Sequence, residues 1–271
     1  MKDVKIHLQG NIERFSGFAD AYDKFRPAPP AKLSGVLTRL AMIARPTLVV
    51  DLGSGTGLST RYWANKADRV IGIEPTEDMR QAAIRQTQAK NIIYQEGYSH
   101  QTSLPDRCAQ IITCSQSLHW MEPDATFQEV RRILQPGGVF AAFDYDWPPT
   151  TGRWEVDAAY EACMVQVSNL ENSYKNPNPA QKWEKSSHLE RMQASGCFRY
   201  AKEIVLHQVD QGNAERLVGL LLSQGGVMTL LKAGFTESQL GIDRFRELTT
   251  KVLGSHNQDW YWSSRVRLGI V

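Results

Sequence analysis

A chain of 271 residues with 42% hydrophobic and 22% charged residues can bury one large core, or a core with a substantial insertion. Lys plus Arg total 31 against 29 for Asp plus Glu, so no basic face for nucleic acid is expected, and no apolar run approaches the length of a membrane span. The four cysteines form no Cys-x-x-Cys pair and Met1-Lys2-Asp3-Val4-Lys5 opens no apolar leader, so the expectation is a cytoplasmic chain with reduced thiols and no metal site.

Residues 12–25 and 30–44 read as helices. After Pro46, the β-branched run from Thr47 to Asp51 predicts a buried strand. A glycine-rich turn at 53–57 and a helix from Leu58 to Lys66 follow. Arg69 to Glu74 is a second strand, closed by Pro75, and Thr76 stands where a helix cap is expected, with Glu77 and Asp78 in the first turn. Further strands are expected at 92–95, 110–115 and 139–144, and a helix over 123–134 stops at Gln135-Pro136-Gly137-Gly138. Residues 153–195 and 213–253 read mostly as helix, around an alternating strand at 198–209. Trp260 to Ile270 alternates again, as a late strand able to pair with it.

Strands alternating with helices imply an α/β fold: a Rossmann-like doubly wound sheet, mostly parallel, with a late antiparallel strand and helical lid insertions. Three regions are expected: an N-terminal helical gate at 1–45, a cofactor-binding core at 46–150, and the remaining sheet with a helical substrate lid at 151–271. The carboxyl edge of such a sheet is where ligands bind.

The segment that carries chemistry is Val49-Val50-Asp51-Leu52-Gly53-Ser54-Gly55-Thr56-Gly57. Glycines there permit positive φ and close backbone approach to a ligand. A dinucleotide fingerprint would need glycine at 58, where Leu stands, and no Gly-Lys-Ser/Thr phosphate loop follows. Glu74, about 20 residues past the turn at the end of the second strand, is placed to accept both hydroxyls of a ribose.

Residues 47–145 resemble the class I S-adenosylmethionine-dependent methyltransferases. The resemblance rests on 49–57, on Ile-Gly-Ile-Glu-Pro at 71–75, on Leu-His-Trp-Met at 118–121 and on Arg-Arg-Ile-Leu-Gln-Pro-Gly-Gly at 131–138. Residues 18–27, with a looser match at 260–267, are similar to the subgroup that includes trans-aconitate methyltransferases. The resemblance implies S-adenosylmethionine as cofactor, with Gly53, Ser54, Gly55 and Gly57 shaping its loop. Asp51 would hold the methionine ammonium, directly or through water. Glu74 would hold the ribose, Pro75 and Met79 would pack near adenine, and Gln116 would line the methionine portion. One departure is Tyr98, which replaces the acid often found after Gly97; a backbone N–H at Ser99 is the alternative adenine contact.

Other residues are open to two readings. Tyr22 and Arg26 are spaced i, i+4 on one helical face, either an exposed surface stack or a pair that closes on cofactor or substrate. His119 is a buried, satisfied histidine or a general base; Trp120 is core or pocket wall. Asp144 and Asp146 cap a turn or meet the acceptor, and Trp260 and Trp262 fit a core. A sulfonium donor is already activated, so in-line methyl transfer needs mainly alignment and exclusion of water. A hydroxyl acceptor would need a base such as His119; a carboxylate would need donors such as Arg26 and Tyr22. The expected function is methyl transfer to a small molecule, most readily at a carboxylate or hydroxyl oxygen. A non-catalytic S-adenosylmethionine-binding module is the alternative.

Overall fold

The computed structural model describes Gly10 and residues 23–174 and 180–271. Its sheet contains β1 (Leu48–Leu52), β2 (Arg69–Ile73), β3 (Ile92–Gln95), β4 (Ala109–Ser115), β5 (Leu134–Tyr145), β6 (Tyr200–Gly212) and β7 (Gln258–Ile270). The spatial order is β3-β2-β1-β4-β5-β7-β6. Strands β1 to β5 run parallel, and β7 is antiparallel to both of its neighbours. The expected doubly wound sheet with a late antiparallel strand is the one observed. The chain reverses direction of strand order at β1 and β4, and that switch point opens the crevice in which open α/β sheets bind ligands.

Successive residues of a strand face opposite sides, and the two cores follow that alternation. Val50, Leu52, Ile71, Ile112 and Phe140 pack on one side against Phe127, Val130 and Ile133 of the helix α4 (Pro123–Ile133). Val49, Val70, Ile111, Val139 and Ala141 pack on the other against Leu33 and Leu37 of α1 (Leu33–Leu40) and against Trp63. Both sides of the parallel strands are buried, so these strands read as continuous apolar runs rather than as polar–apolar alternation.

Several boundaries differ from the sequence reading. The helix after the glycine turn, α2 (Leu58–Arg61), gives way to turns through Lys66. Next comes α3 (Glu77–Gln86), where Thr76 makes no side-chain capping bond. Strand β5 begins at Leu134 rather than 139. Ala109 pairs with Leu134, the register then shifts, and Ile111 pairs with Val139, so the Pro-Gly-Gly breaker is absorbed as an irregularity with Gly137 at φ 82°. Local punctuation predicted a gap; cross-strand pairing carried the strand through it.

The C-terminal helical stretches are also more divided than expected. Residues 153–195 hold α5 (Trp154–Ser173) and α6 (His188–Ala194), with a short 3-10 turn at Lys185–Ser187 between them. Residues 213–253 hold α7 (Ala214–Leu222), α8 (Gly225–Lys232) and α9 (Ile242–Leu253), the last two separated by a turn with Gly234 and Gly241 at positive φ. These helices enclose a third core, in which Val156, Tyr160, Leu217, Leu221 and Phe245 surround Trp260 and Trp262 of β7. No helix of the described residues is long and apolar enough to cross a membrane.

Candidate active site

A cavity opens at the carboxyl edge of β1, β2 and β4. Its floor is the turn that follows β1. Gly53, Gly55 and Gly57 adopt φ of 62°, 54° and 84°, the left-handed region that glycine enters without penalty. A Cβ at Gly53 would stand 2.7 Å from Met121 Cε and 2.8 Å from Ser117 Cβ, whereas no atom lies within 4 Å of one at Gly55. Gly55 therefore leaves its space to the cavity it lines. Gly57 does not line the cavity; its bare Cα makes room for the Tyr94 hydroxyl and starts α2.

Asp51 lies behind this turn. Its Oδ2 accepts from the Ser59 and Thr60 hydroxyls at 2.6 and 2.7 Å, and its Oδ1 accepts from Thr113 at 2.7 Å. It is fully buried and off the cavity wall, and burial pushes its pKa up against the three hydrogen bonds. Asp51 does not line the cavity where the expected ammonium contact would lie; its three hydroxyl partners fasten α2 and β4 to the loop. Ser54 does line the cavity, and its buried Oγ has no hydrogen-bond partner.

Glu74 stands where the sequence placed it, on the cavity wall and 7% exposed. Its Oε2 accepts from the Gly55 N–H at 2.9 Å and its Oε1 from the Thr76 N–H at 3.0 Å. Each oxygen keeps a lone pair for a further donor. Burial raises its pKa, opposed by those backbone N–H groups and by Arg80. Pro75 and Met79 line the adjoining wall.

Tyr98, Ser99 and His100 form the opposite wall. The Ser99 hydroxyl is spent on Thr126 at 2.8 Å, which leaves its backbone as the group available to a ligand. The Tyr98 and His100 rings stack with centroids 5.5 Å apart, and His100 Nδ1 is buried without a partner. Thr56, Leu58, Ser117 and Met121 also line the cavity; the sequence reading had not singled them out, although Thr56 and Met121 sit inside its motifs.

The residues proposed for chemistry divide. Trp120 and Tyr145 line the cavity, but His119 does not. His119 is 5% exposed, with Nδ1 3.7 Å from Asp144 Oδ1 and its ring against Trp120. Of the two readings of His119, the described packing gives the buried one, with the imidazole beside Asp144 and off the cavity wall. Arg26 does line the cavity. It is half-buried rather than surface-exposed: its Nε donates to Ser223 Oγ at 3.0 Å, its Nη2 to Ser223 O at 2.7 Å, and its guanidinium covers the Trp147 ring at 4.7 Å. Tyr22 lies outside the described residues, as do residues 1–9 and 11–21 of the expected 1–45 gate.

Residues 23–29 run as a strap across the site. Asp23 accepts from Thr56 of the cofactor loop at 2.7 Å and pairs with Arg61. Pro27 and Pro29 line the cavity, and the Pro27 carbonyl accepts from the Tyr145 hydroxyl at 3.1 Å. None of the described residues of 153–271 lines the cavity; Ser223 reaches it through Arg26 of the strap.

The residues present fit S-adenosylmethionine: a glycine with an open Cβ position, an orphaned Ser54 hydroxyl, a Glu74 carboxylate with free lone pairs, and apolar walls for a purine. The fold and this site resemble those of S-adenosylmethionine-dependent methyltransferases. Comparison with known proteins agrees. Residues 50–142 match the family described as a methyltransferase domain. An uncharacterized methyltransferase of Mycobacterium tuberculosis is 30% identical over 128 residues, covering 46% of this chain and 49% of that protein. A malonyl-[acyl-carrier protein] O-methyltransferase from Pectobacterium atrosepticum is 31% identical over 143 residues, covering 52% of this chain and 55% of its own. The chain thus spans about half the length of the curated relatives it matches. Among solved structures, a protein of Anaeromyxobacter dehalogenans described as a candidate type II methyltransferase shares the fold with a TM-score of 0.67 at 21% identity, over 91% of this chain and 98% of its own.

Proposed function

We propose that the chain transfers the methyl group of S-adenosylmethionine to a carboxylate oxygen of a small acceptor. The observation that carries this reading is Arg26, a cation on the cavity wall whose guanidinium is held in place from behind by Ser223 and Trp147. Arginine presents a fork of donors that suits a carboxylate, and fixing it in advance lowers the ordering cost of binding. His119 does not line the cavity, and Glu74 is engaged with the glycine-rich turn. The site therefore suits a nucleophile that is already ionised and needs no base.

When bound, the cofactor supplies an electrophilic methyl carbon on a positive sulfur. The protein holds it by the Gly53–Gly57 turn and Glu74 on one side and by the 98–100 turn on the other. The strap, Trp120 and Tyr145 exclude water and orient the acceptor; the gain comes mainly from alignment. The similar malonyl-[acyl-carrier protein] O-methyltransferase, by its name an O-methylating protein, agrees with an oxygen acceptor. The subgroup resemblance at 18–27 supports a small polycarboxylate.

The test is a panel of carboxylic acids incubated with methyl-labelled cofactor. A methyl ester that releases labelled methanol in base is expected from at least one of them. Methylation that resists base, on a nitrogen or a carbon, would replace this reading.

A further inference from the structure

The 3-10 turn at Lys185–Ser187 sends one side chain toward the cofactor cavity without lining it. Lys185 Nζ lies 2.7 Å from Asp144 Oδ1 and donates to Gln116 Oε1 at 3.0 Å. Gln116 follows β4, lines the cavity, and holds the strained φ of 53°. A non-glycine residue in that region is uncommon, and here its backbone is pinned by a 2.9 Å bond from its N–H to Phe143 O.

An ammonium can only donate, so Gln116 must turn its carbonyl oxygen toward Lys185. Its amide nitrogen is then the end left over, and Gln116 Nε2 is buried with no hydrogen-bond partner among the described residues. A buried donor without an acceptor is costly unless a ligand supplies one. The ammonium at Oε1 also polarises the amide and strengthens its N–H groups as donors. Lys185 is itself held: Asp144, at the end of β5, takes Arg267 on its other oxygen at 2.8 Å, and Arg267 pairs with Glu203 at 2.7 Å. Lys185 and Arg267 offset Asp144 and Glu203, so the cluster presents no net charge to the cavity, and Gln116 alone relays its influence.

We propose that Lys185 is a positioning residue that fixes Gln116 as a donor to a ligand carboxylate in the cavity, and so selects for ligands that carry one. This rests on the methyltransferase reading. The carboxylate is that of the cofactor's amino-acid end or that of the methyl acceptor; the same chemistry serves both.

Calorimetric titration of the full chain distinguishes the sources. The probes are S-adenosylhomocysteine, 5′-methylthioadenosine, which lacks the amino-acid end, and citrate added to the S-adenosylhomocysteine complex. Lys185→Met is expected to weaken one carboxylate ligand by roughly tenfold, the loss of about one charge-assisted hydrogen bond. If S-adenosylhomocysteine weakens and 5′-methylthioadenosine does not, the carboxylate is the cofactor's. If only citrate weakens, it is the acceptor's. In a Gln116→Met background the effect of Lys185→Met should vanish, because the relay is already cut, and Lys185→Arg should restore most of the affinity. A purely structural lysine would act equally in both backgrounds and on all three probes, and that result overturns the proposal, as does no change on any probe.

Should Lys185→Met fail to fold with Asp144 left unpaired, Gln116→Glu serves instead. It keeps an acceptor for Lys185 but removes both donors, and should weaken the carboxylate ligand while sparing 5′-methylthioadenosine. Equal binding by Gln116→Glu and the parent chain refutes the relay. Failure of the parent chain to bind S-adenosylhomocysteine would remove the methyltransferase reading itself, whereas intact parent binding with indifferent variants removes only the role of Lys185.

Discussion

Residues 46–145 and residues 146–271 solve the same problem in different ways. The first region builds five parallel strands that are covered on both sides, and most of its cavity-lining residues lie within short loops after β1, β2, β3 and β4. The second supplies two long strands, β6 and β7, and uses β7 to complete the sheet, while its helices gather around the indoles of Trp260 and Trp262. The first region contributes nearly the whole cavity wall; the described residues of the second contribute none of it and act by holding Arg26 and Gln116. A cavity can thus be lined by one region and its wall residues held in place by another.

The largest expected effect tests whether the two regions are energetically one body. Trp262 is 1% exposed and packs edge-on against Tyr145 and Trp147. Trp262→Ala should cost about 3–5 kcal/mol of stability. Because β7 pairs with β5 along seven residue pairs, denaturant unfolding followed by fluorescence and by far-ultraviolet dichroism should remain one coincident transition. Two separated transitions would show that the regions unfold independently.

Acid should act on the second region first. His188 is fully buried, and desolvation lowers its pKa from 6.5 to about 4 despite the opposing Asp144. The unfolded chain then binds more protons between those values. The contribution of neutral His188 is fully present above pH 6.5 and is lost as the pH falls toward 4, by about 1.4 kcal/mol per pH unit. His188→Leu should flatten the fall in melting temperature across this window. An unchanged acid limb would mean that another group governs it.

Within the first region, Glu74→Ala should weaken S-adenosylhomocysteine by about 1.5–3 kcal/mol for each ribose bond lost, before compensation. Some thermal stability should go as well, since Gly55 and Thr76 each lose an acceptor. Gly55→Ala sharpens the reading, for its Cβ meets open space and its left-handed φ costs only about 1–2 kcal/mol. Its melting point should move modestly and its cofactor affinity should fall at least tenfold. Undiminished affinity in either variant would move the cofactor elsewhere.

The smallest stability effect belongs to the strap that joins the regions. Arg26→Ala removes two hydrogen bonds and a ring contact, about 1–2 kcal/mol together. Its effect on acceptor KM should be larger than its effect on cofactor affinity. Equal weakening of acceptor and cofactor binding would reduce the strap to plain packing.

The outline of the first region was legible because its signals are local. A β-branched run, glycines at 53, 55 and 57 and an acid about 20 residues later each reflect a backbone conformation or a strand end that neighbours in sequence impose. The same locality misled at Gln135–Gly138, where pairing with β4 and with the chain end at Val271 kept β5 intact through a breaker.

What the sequence by itself determined is the sheet, its ligand edge and the glycine-rich turn, since hydrophobic period, turn chemistry and motif spacing act over a few residues. Only the tertiary structure decided which way His119 faces, that Arg26 is anchored to Ser223 rather than free at the surface, and that Lys185 stands behind Gln116. The physical reason is that these are side-chain contacts between groups 25 to 197 residues apart, fixed by packing of the C-terminal helices on the completed sheet. No local propensity encodes such a contact; it exists only once both elements are in place.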